Sequence, residues 1–260
     1  MKRRLDLLDG LAHLPRPVYG HVEAASNILI PRYHSHSWVQ LSYAARGVLD
    51  VWTEAGRFVA PPHWAVWIPP LIPHRVFCSQ DAEIRSLYID APVLSRMAKC
   101  CVLEVSALLR ELIRTFSYFP EEYEDEGPQG RLVAVLLDQL AIAPEADLML
   151  RLPRDKRIQS ICRYLQGHPR SQKNLQQWAS RLGVSTRTLS RQFVKETGMG
   201  FRQWRQRLRL LAALPMLENG HRVTDVALAA GYETLSAFSA AFKAQFGSTP
   251  AELFNARTPT

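Results

Sequence analysis

Residues 175–198 read LQQWASRLGVSTRTLSRQFVKETG. Leu175, Trp178, Ala179 and Leu182 recur at intervals of three and four, and Leu189 and Phe193 repeat that spacing further on. Such intervals place each group on one face of a helix. Between the groups stand Gly183, which tolerates a left-handed backbone and stops the first helix, and Ser185, whose hydroxyl caps the second. Two short helices around a tight glycine turn form a helix-turn-helix. Its second helix presents Thr186, Arg187, Ser190 and Arg191 outward, and small hydroxyls with guanidinium groups suit base edges and phosphates.

Residues 223–247, VTDVALAAGYETLSAFSAAFKAQFG, repeat the pattern. Ala179 and Gly183 correspond to Ala227 and Gly231 at an offset of 48 residues. Leu189, Phe193 and Gly198 correspond to Phe238, Phe242 and Gly247 at an offset of 49, so the second copy has one extra turn residue. A duplication of this kind marks a structural repeat. Its outward residues are Thr234, Leu235, Ser236 and Ser239, with Lys243 a turn later. Phe201 to Leu217 is a helix joining the copies, with Trp204, Leu208, Leu211 and Leu214 as its buried stripe. Arg202, Arg205, Arg207 and Arg209 form a basic series on it, and Arg207 and Lys243 are read as phosphate contacts. Pro215 lacks an N–H and opposes the carbonyl of Leu211, which predicts a kink or an early end at Leu214–Pro215.

The chain has 260 residues and a formal net charge of +8. Residues 155–260 hold 16 Lys and Arg against 6 Asp and Glu, a balance of +10, whereas residues 1–154 balance at −2. A basic half bearing two helix-turn-helix units points to double-stranded DNA. The four cysteines, Cys78, Cys100, Cys101 and Cys162, form no C-x-x-C pair, which argues against a zinc site or a disulfide framework. No run approaches ~18 apolar residues, so no membrane span is expected. Asp6 and Asp9 interrupt any leader after Lys2-Arg3-Arg4, and a cytoplasmic location is expected.

The second copy, with Val226-Ala227, Gly231-Tyr232, Phe238, Phe242-Lys243, Phe246-Gly247 and Thr249-Pro250, resembles the signature of the AraC/XylS family of bacterial transcription regulators. The resemblance covers residues from about 155 to the end closely and the rest more loosely. It implies that the joining helix spaces the two recognition helices about one DNA turn apart, roughly 34 Å. It also implies a small-molecule effector, a homodimer, and RNA polymerase as a further partner if the protein is an activator; these residues leave open whether it activates or represses. The family often carries Arg where Ala240 stands, so weaker discrimination is expected at the downstream segment.

Towards the amino terminus, from Ile28 to about Asp90, β-branched and aromatic residues dominate. Val39–Ala44, Val48–Thr53, Arg57–Ala60, Ala65–Ile68, His74–Phe77 and Glu83–Ile89 read as strands between glycine and proline punctuation, which indicates a small barrel or jelly roll. His34-Ser35-His36 with Gln40, and Pro69-Pro70 followed by Pro73-His74, resemble the two cupin motifs. The cupin pattern usually has Glu where Gln40 stands, and an amide is a poorer ligand than a carboxylate. Two readings stand: His34, His36, Gln40 and His74 hold a divalent transition metal, or they line an effector pocket by hydrogen bonding. Trp38, Trp52 and Trp67 are the aromatic candidates for that pocket, with Trp64, Phe77 and Tyr88 as others that serve it or the core. The motif pair is also similar to regulators placed beside efflux or detoxification genes.

Leu94, Met97, Cys101, Val105, Leu108, Leu109, Leu112, Ile113 and Phe116 follow at helical spacing, then an exposed acidic loop at 121–130 and a helix on Leu132, Leu136 and Leu140. Three regions result: residues 1–95 as an effector-sensing cupin-like β domain, 96–150 as a helical linker and dimerisation segment, and 151–260 as the DNA-binding domain. The fold expected is two-domain α+β, a β-barrel followed by an all-α tandem helix-turn-helix. The rival is a metal-dependent cupin enzyme fused to a DNA-targeting module; a DNA-alkylation repair protein would need a zinc-bound cysteine cluster that these cysteines do not supply.

Overall fold

The computed structural model describes residues 13–24, 30–79, 82–94 and 98–255. Ile28, Met97 and the amino-terminal residues Lys2 to Asp9 lie outside them. The chain divides into two compact units, one of residues up to Thr53 with Phe58–Leu148, the other of Glu54–Arg57 with Met149 onward.

Unit one is β-rich. Its strands are β1 (Val18–Ala24), β2 (Ile30–His34), β3 (Val39–Arg46), β4 (Leu49–Thr53), β5 (Gly56–Ala60), β6 (Trp64–Ile68), β7 (His74–Cys78), β8 (Glu83–Ile89), β9 (Cys101–Glu104) and the two-residue β10 (Glu145–Ala146). One antiparallel sheet runs β1-β8-β3-β6-β9-β10, and the second carries β5-β4-β7-β2. All six strands expected between Val39 and Ile89 are present within a residue or two of their expected bounds.

Two helices complete the unit: α1 (Ala107–Phe116), capped by the Ser106 hydroxyl, and α2 (Pro128–Ile142), with proline in its first turn. They cover the back of the first sheet. Val39, Leu41, Tyr43, Trp67, Leu87 and Ile89 from the strands meet Leu109, Ile113, Phe116, Val133, Leu136 and Leu140 from the helices in one core. The expected segment 96–150 is therefore not a region of its own: its described residues up to Leu148 belong to the β unit, and Met149 and Leu150 to the other. Helical spacing also misreads Cys101: it sits in β9, paired with Trp67, and the helix starts only at Ala107. In the acidic loop, Tyr123 is buried and its hydroxyl donates to the Val18 carbonyl at 3.1 Å.

Apart from Glu54–Arg57, unit two begins with β11 (Met149–Arg151) and continues in helices: α3 (Lys156–Gly167), α4 (Leu175–Arg181), α5 (Thr186–Thr197), α6 (Phe201–Glu218), α7 (Val223–Ala229), α8 (Leu235–Phe246) and α9 (Pro250–Asn255). Pairs α4–α5 and α7–α8 repeat at 48 residues for the first helix and 49 for the second, as the sequence requires. Sequence chemistry sets each boundary. The Ser185 hydroxyl accepts from Thr188 N, that of Thr234 accepts from Ala237 N, and Gly183 and Gly231 adopt φ of +65° and +82° in the two turns. Left-handed φ costs a side chain about 1–2 kcal/mol and glycine almost nothing, which is why the repeat keeps glycine there.

Helix α6 corrects one expectation. It runs unbroken through Glu218 with Pro215 inside it. Leu208, Leu211, Leu214 and Leu217 are all buried along its length, and α7 and α8 both pack on it. That burial outweighs the ~3 kcal/mol a helical proline costs. Pro215→Ala should restore a donor to the Leu211 carbonyl and raise the unfolding free energy by about 1–2 kcal/mol in urea denaturation. A loss of stability would show that the proline is required where it stands.

Candidate DNA interface and histidine cluster

On α5, Ser185, Thr186, Arg187, Ser190 and Arg191 are all exposed along one side, while Leu189 and Phe193 are buried on the other. Phe193 packs edge-on against Trp204 of α6, with ring centroids 5.9 Å apart. On α8, Thr234, Leu235, Ser236, Ala240 and Lys243 are exposed and Ser239 is half-buried, above a seam of Phe238, Phe242 and Phe246. The repeat therefore places Arg187 and Arg191 where the second copy has Ser236 and Ala240, and Val194 where it has Lys243.

Arg207 does not belong to this surface. It is buried, and its Nη1 donates to the Met149 carbonyl at 3.1 Å. Arg205 donates to the Lys173 carbonyl at 3.1 Å, and Arg209 donates to Pro169 and Ser171 carbonyls at 2.9 and 3.1 Å. These guanidinium groups satisfy carbonyls of the unit's own backbone, and burial with a like charge nearby lowers the pKa of both Arg205 and Arg209. Of the basic series on α6, Arg202 alone is exposed. Arg209 went unnoticed as a structural residue. Its guanidinium lies where a Cβ on Gly231 would come within 3.1 Å, so it joins the segment before α4 to the turn of the second helix-turn-helix.

In unit one, two sheet faces look at each other across the barrel interior. His74 and Thr53 pair across β7 and β4 and are buried on the inner side; Gln40 projects from β3 opposite them. The imidazoles of His34, His36 and His74 gather here, with centroids 4.2 Å apart for His34–His74 and 5.2 Å for His36–His74. Trp38 stacks on His36 at 5.2 Å, and Tyr88 meets its edge at 6.3 Å.

Each of two histidines has one ring nitrogen on a backbone carbonyl: His36 Nδ1 is 2.8 Å from Trp38 O, and His74 Nδ1 is 2.8 Å from Ile72 O. Their Nε2 atoms lie 2.9 and 3.2 Å from the terminal Oε1 of Gln40, whose Nε2 lies 2.8 Å from the Ser42 hydroxyl. With Nδ1–H committed to a carbonyl, a neutral imidazole can only accept at Nε2. Burial lowers the pKa of all three histidines, that of His74 to about 3, so they are neutral. The consistent arrangement turns the amide over: its two N–H groups donate to the two imidazoles, and its oxygen accepts from Ser42.

This arrangement corrects the metal reading. The Gln40 amide takes up both Nε2 lone pairs that a cation would use, and it brings no negative charge. Among the described residues no group of three or more His, Cys, Asp or Glu is placed to hold a metal ion. His36, His74 and Gln40 are thus satisfied by their own hydrogen bonds, and with a neutral amide in the carboxylate's place the set they form with His34 does not fit a metal centre. Ser42, which completes the network, was missed; it lies two residues from Gln40 on the same strand, so the period-two rule gives it the same face.

Two of the three tryptophans expected in the pocket point elsewhere. Trp67 pairs with Leu41 and lies in the core behind the first sheet, on the face opposite Gln40. Trp52 pairs with Arg75 on the outer face of the second sheet, with the guanidinium 4.7 Å from its ring. Trp38 alone remains beside the histidines.

Two consecutive helix-turn-helix units joined to a β unit with a polar histidine cluster in its interior have the organisation of a one-component regulator, a DNA-binding part linked to a ligand-binding part. Comparison with known proteins agrees. Residues 178–256 match a helix-turn-helix domain family and residues 18–142 match the AraC-like ligand binding domain. The chain is 35% identical over 229 residues to the HTH-type transcriptional regulator NimR of Escherichia coli (strain K12), spanning 88% of this chain and 84% of NimR. It is 29% identical over 136 residues to the HTH-type transcriptional regulator RipA of Corynebacterium glutamicum, spanning 52% of this chain and 39% of RipA. ToxT from Vibrio cholerae O395 aligns over 94% of this chain and 99% of its own, with 12% identity and a TM-score of 0.39. The chain belongs to the AraC family of transcriptional regulators, with an amino-terminal ligand-binding domain and a carboxyl-terminal DNA-binding domain.

Proposed function

We propose that this regulator lays α5 and α8 into two successive major-groove segments of a promoter and that the two helices do different work. The observation that carries this reading is the pair of exposed guanidinium groups, Arg187 and Arg191, on α5 where α8 has Ser236 and Ala240. Arginine reads guanine bidentately; serine, threonine and leucine offer backbone hydrogen bonds, water-mediated contact and a surface for thymine methyls. Unit α4–α5 then supplies most base discrimination, and α7–α8 affinity and register. Arg191→Ala should cost about 1–3 kcal/mol of operator binding and relax specificity at one base pair. Lys243→Ala should weaken all sequences alike and reduce the salt slope by about 1. Equal losses on operator and random DNA for Arg191→Ala would refute the division.

The effector site in this reading is the barrel interior beside His34, His36, His74, Gln40 and Ser42, with Trp38 and Tyr88 as aromatic walls. A ligand there acts by binding one arrangement of the protein better than another. The protein works as a cytoplasmic homodimer without enzymatic activity, and RNA polymerase is its further partner if it activates. No helix among the described residues is long and apolar enough to cross a membrane. The dimer contact is assigned to α1 and α2, where Leu108, Val135 and Ile142 are exposed apolar residues. Ile142→Glu should shift sedimentation from dimer to monomer without lowering the melting temperature. An unchanged dimer would place the contact elsewhere.

A further inference from the structure

We infer that unit one holds a second small-molecule site, outside the barrel interior, which takes a planar aromatic cation. The site is a cavity of about 210 Å³ between β1 and the end of α1, walled by Tyr19, Gly20, Phe116, Phe119, Glu121 and Tyr123. It goes beyond the effector site proposed above and shares none of its residues.

Three features select the ligand. First, the walls are aromatic and preorganised: Phe116, Phe119 and Tyr123 have ring centroids 5.4–5.9 Å apart at inclined angles, so their ring faces and edges point in several directions. Ring faces attract cations and flat apolar groups alike. The Arg16 guanidinium already lies 4.9 Å from the Tyr123 ring, so the cluster accepts a planar cation on one side. Second, the charge of Arg16 is matched by Asp125 at 2.8 Å and Glu122 at 3.6 Å, and Glu121 remains as the carboxylate of the lining. Five of residues 121–126 are Glu or Asp, so the segment that contributes Glu121 and Tyr123 to the wall is acidic.

Third, β1 is an edge strand. The Val18 carbonyl accepts from the Tyr123 hydroxyl and so points away from the sheet. Backbone direction alternates along a strand, which turns the N–H and C=O of Gly20 to the same open side. A Cβ at residue 20 would stand 2.8 Å from Phe116 and 3.1 Å from Leu87, so glycine lets the Phe116 ring lie against the strand. The cavity thus offers flat apolar walls, a backbone donor and acceptor, and an acidic wall segment.

Isothermal titration of the full chain with N-methylquinolinium, neutral quinoline and 2-naphthoate tests this. N-methylquinolinium should bind saturably, with Kd on the order of 10–100 μM, and about tenfold or more tighter than 2-naphthoate. Glu121→Gln, at an exposed position, should cut that preference to about threefold or less and leave quinoline binding unchanged. Phe119→Ala should weaken all three probes, its folding checked by circular dichroism; should it not fold, Glu121→Gln decides. His36→Ala should leave the binding intact, since that residue belongs to the barrel interior. Equal binding of 2-naphthoate, a cation preference that survives Glu121→Gln, or binding abolished by His36→Ala would overturn the inference. The last result would move the ligand into the effector site without touching the reading of that site.

Discussion

Trp204→Ala should remove about 3–5 kcal/mol from the stability of the DNA-binding unit, the cost of truncating a fully buried aromatic. Trp204 has no exposed surface, packs edge-on against Phe193 of α5 and donates its indole N–H to the Arg151 carbonyl at 3.1 Å. Truncation leaves a cavity beneath the recognition helix and an unpaired carbonyl beside it. Because α5 rests on this ring, operator affinity falls together with stability. Differential scanning calorimetry should show the transition of this unit lowered by on the order of 15 °C. Val194→Ala, at an exposed position on the same recognition helix, should stay within about 0.5 kcal/mol of the parent. A loss at Trp204 no larger than at Val194 would mean that α5 is held by something else.

Acid should destabilise the ligand-binding unit, and His74 should account for most of the effect. Burial holds His74 at a pKa of about 3, against 6.5 in the unfolded chain, and lowers His36 and His34 in the same direction. Above the unfolded value neither state is protonated and stability is flat. As pH falls below 6.5 the unfolded chain takes up a proton that the folded chain refuses, so stability drops until the folded group titrates near 3. From the unfolded value down to pH 5, this amounts to about 2 kcal/mol for His74 alone. Urea denaturation at pH 7.5 and 5.0, on the parent and on His74→Asn, isolates the term. The variant should lose about 2 kcal/mol less than the parent over that interval. Parallel losses would show that His74 is protonated in the folded protein, and the amide bridge through Gln40 would then be wrong.

Much of this architecture could be read from residues that act locally. The turn glycines, the hydroxyl caps and the one-residue insertion in the second repeat are local chemistry, and each appears where the spacing puts it. The inner strands were equally legible. What misled was chemistry set by packing. All five residues of β6 are buried because the first sheet is covered on both faces, so no alternation distinguishes Trp67 from its neighbours. Trp52 alternates correctly, but composition does not say which face of the second sheet looks inward. Arg207 falls on a helix enclosed on several sides, where a long side chain can bring its charge to a backbone carbonyl. Cys101 keeps helical spacing with Val105 by coincidence although it lies in a strand, and only the pairing with β6 resolves it. Gln40 departs from a metal-binding pattern in the sequence itself. Its consequence, an amide occupying the place of a cation, required the positions of both imidazoles and Ser42.

The central claim is that the duplicated helix-turn-helix grips two consecutive turns of duplex while the β unit, through its ligand, modulates that hold. Footprinting of the purified protein on promoter fragments beside its own gene, against scrambled competitor at moderate ionic strength, tests it most directly. The account predicts preferential protection of two segments on one face of the DNA, roughly 34 Å apart, with α5 on the more sequence-specific one. Protection should change in strength when a compound that raises the protein's melting temperature is added. Equal affinity for promoter and scrambled DNA would contradict it.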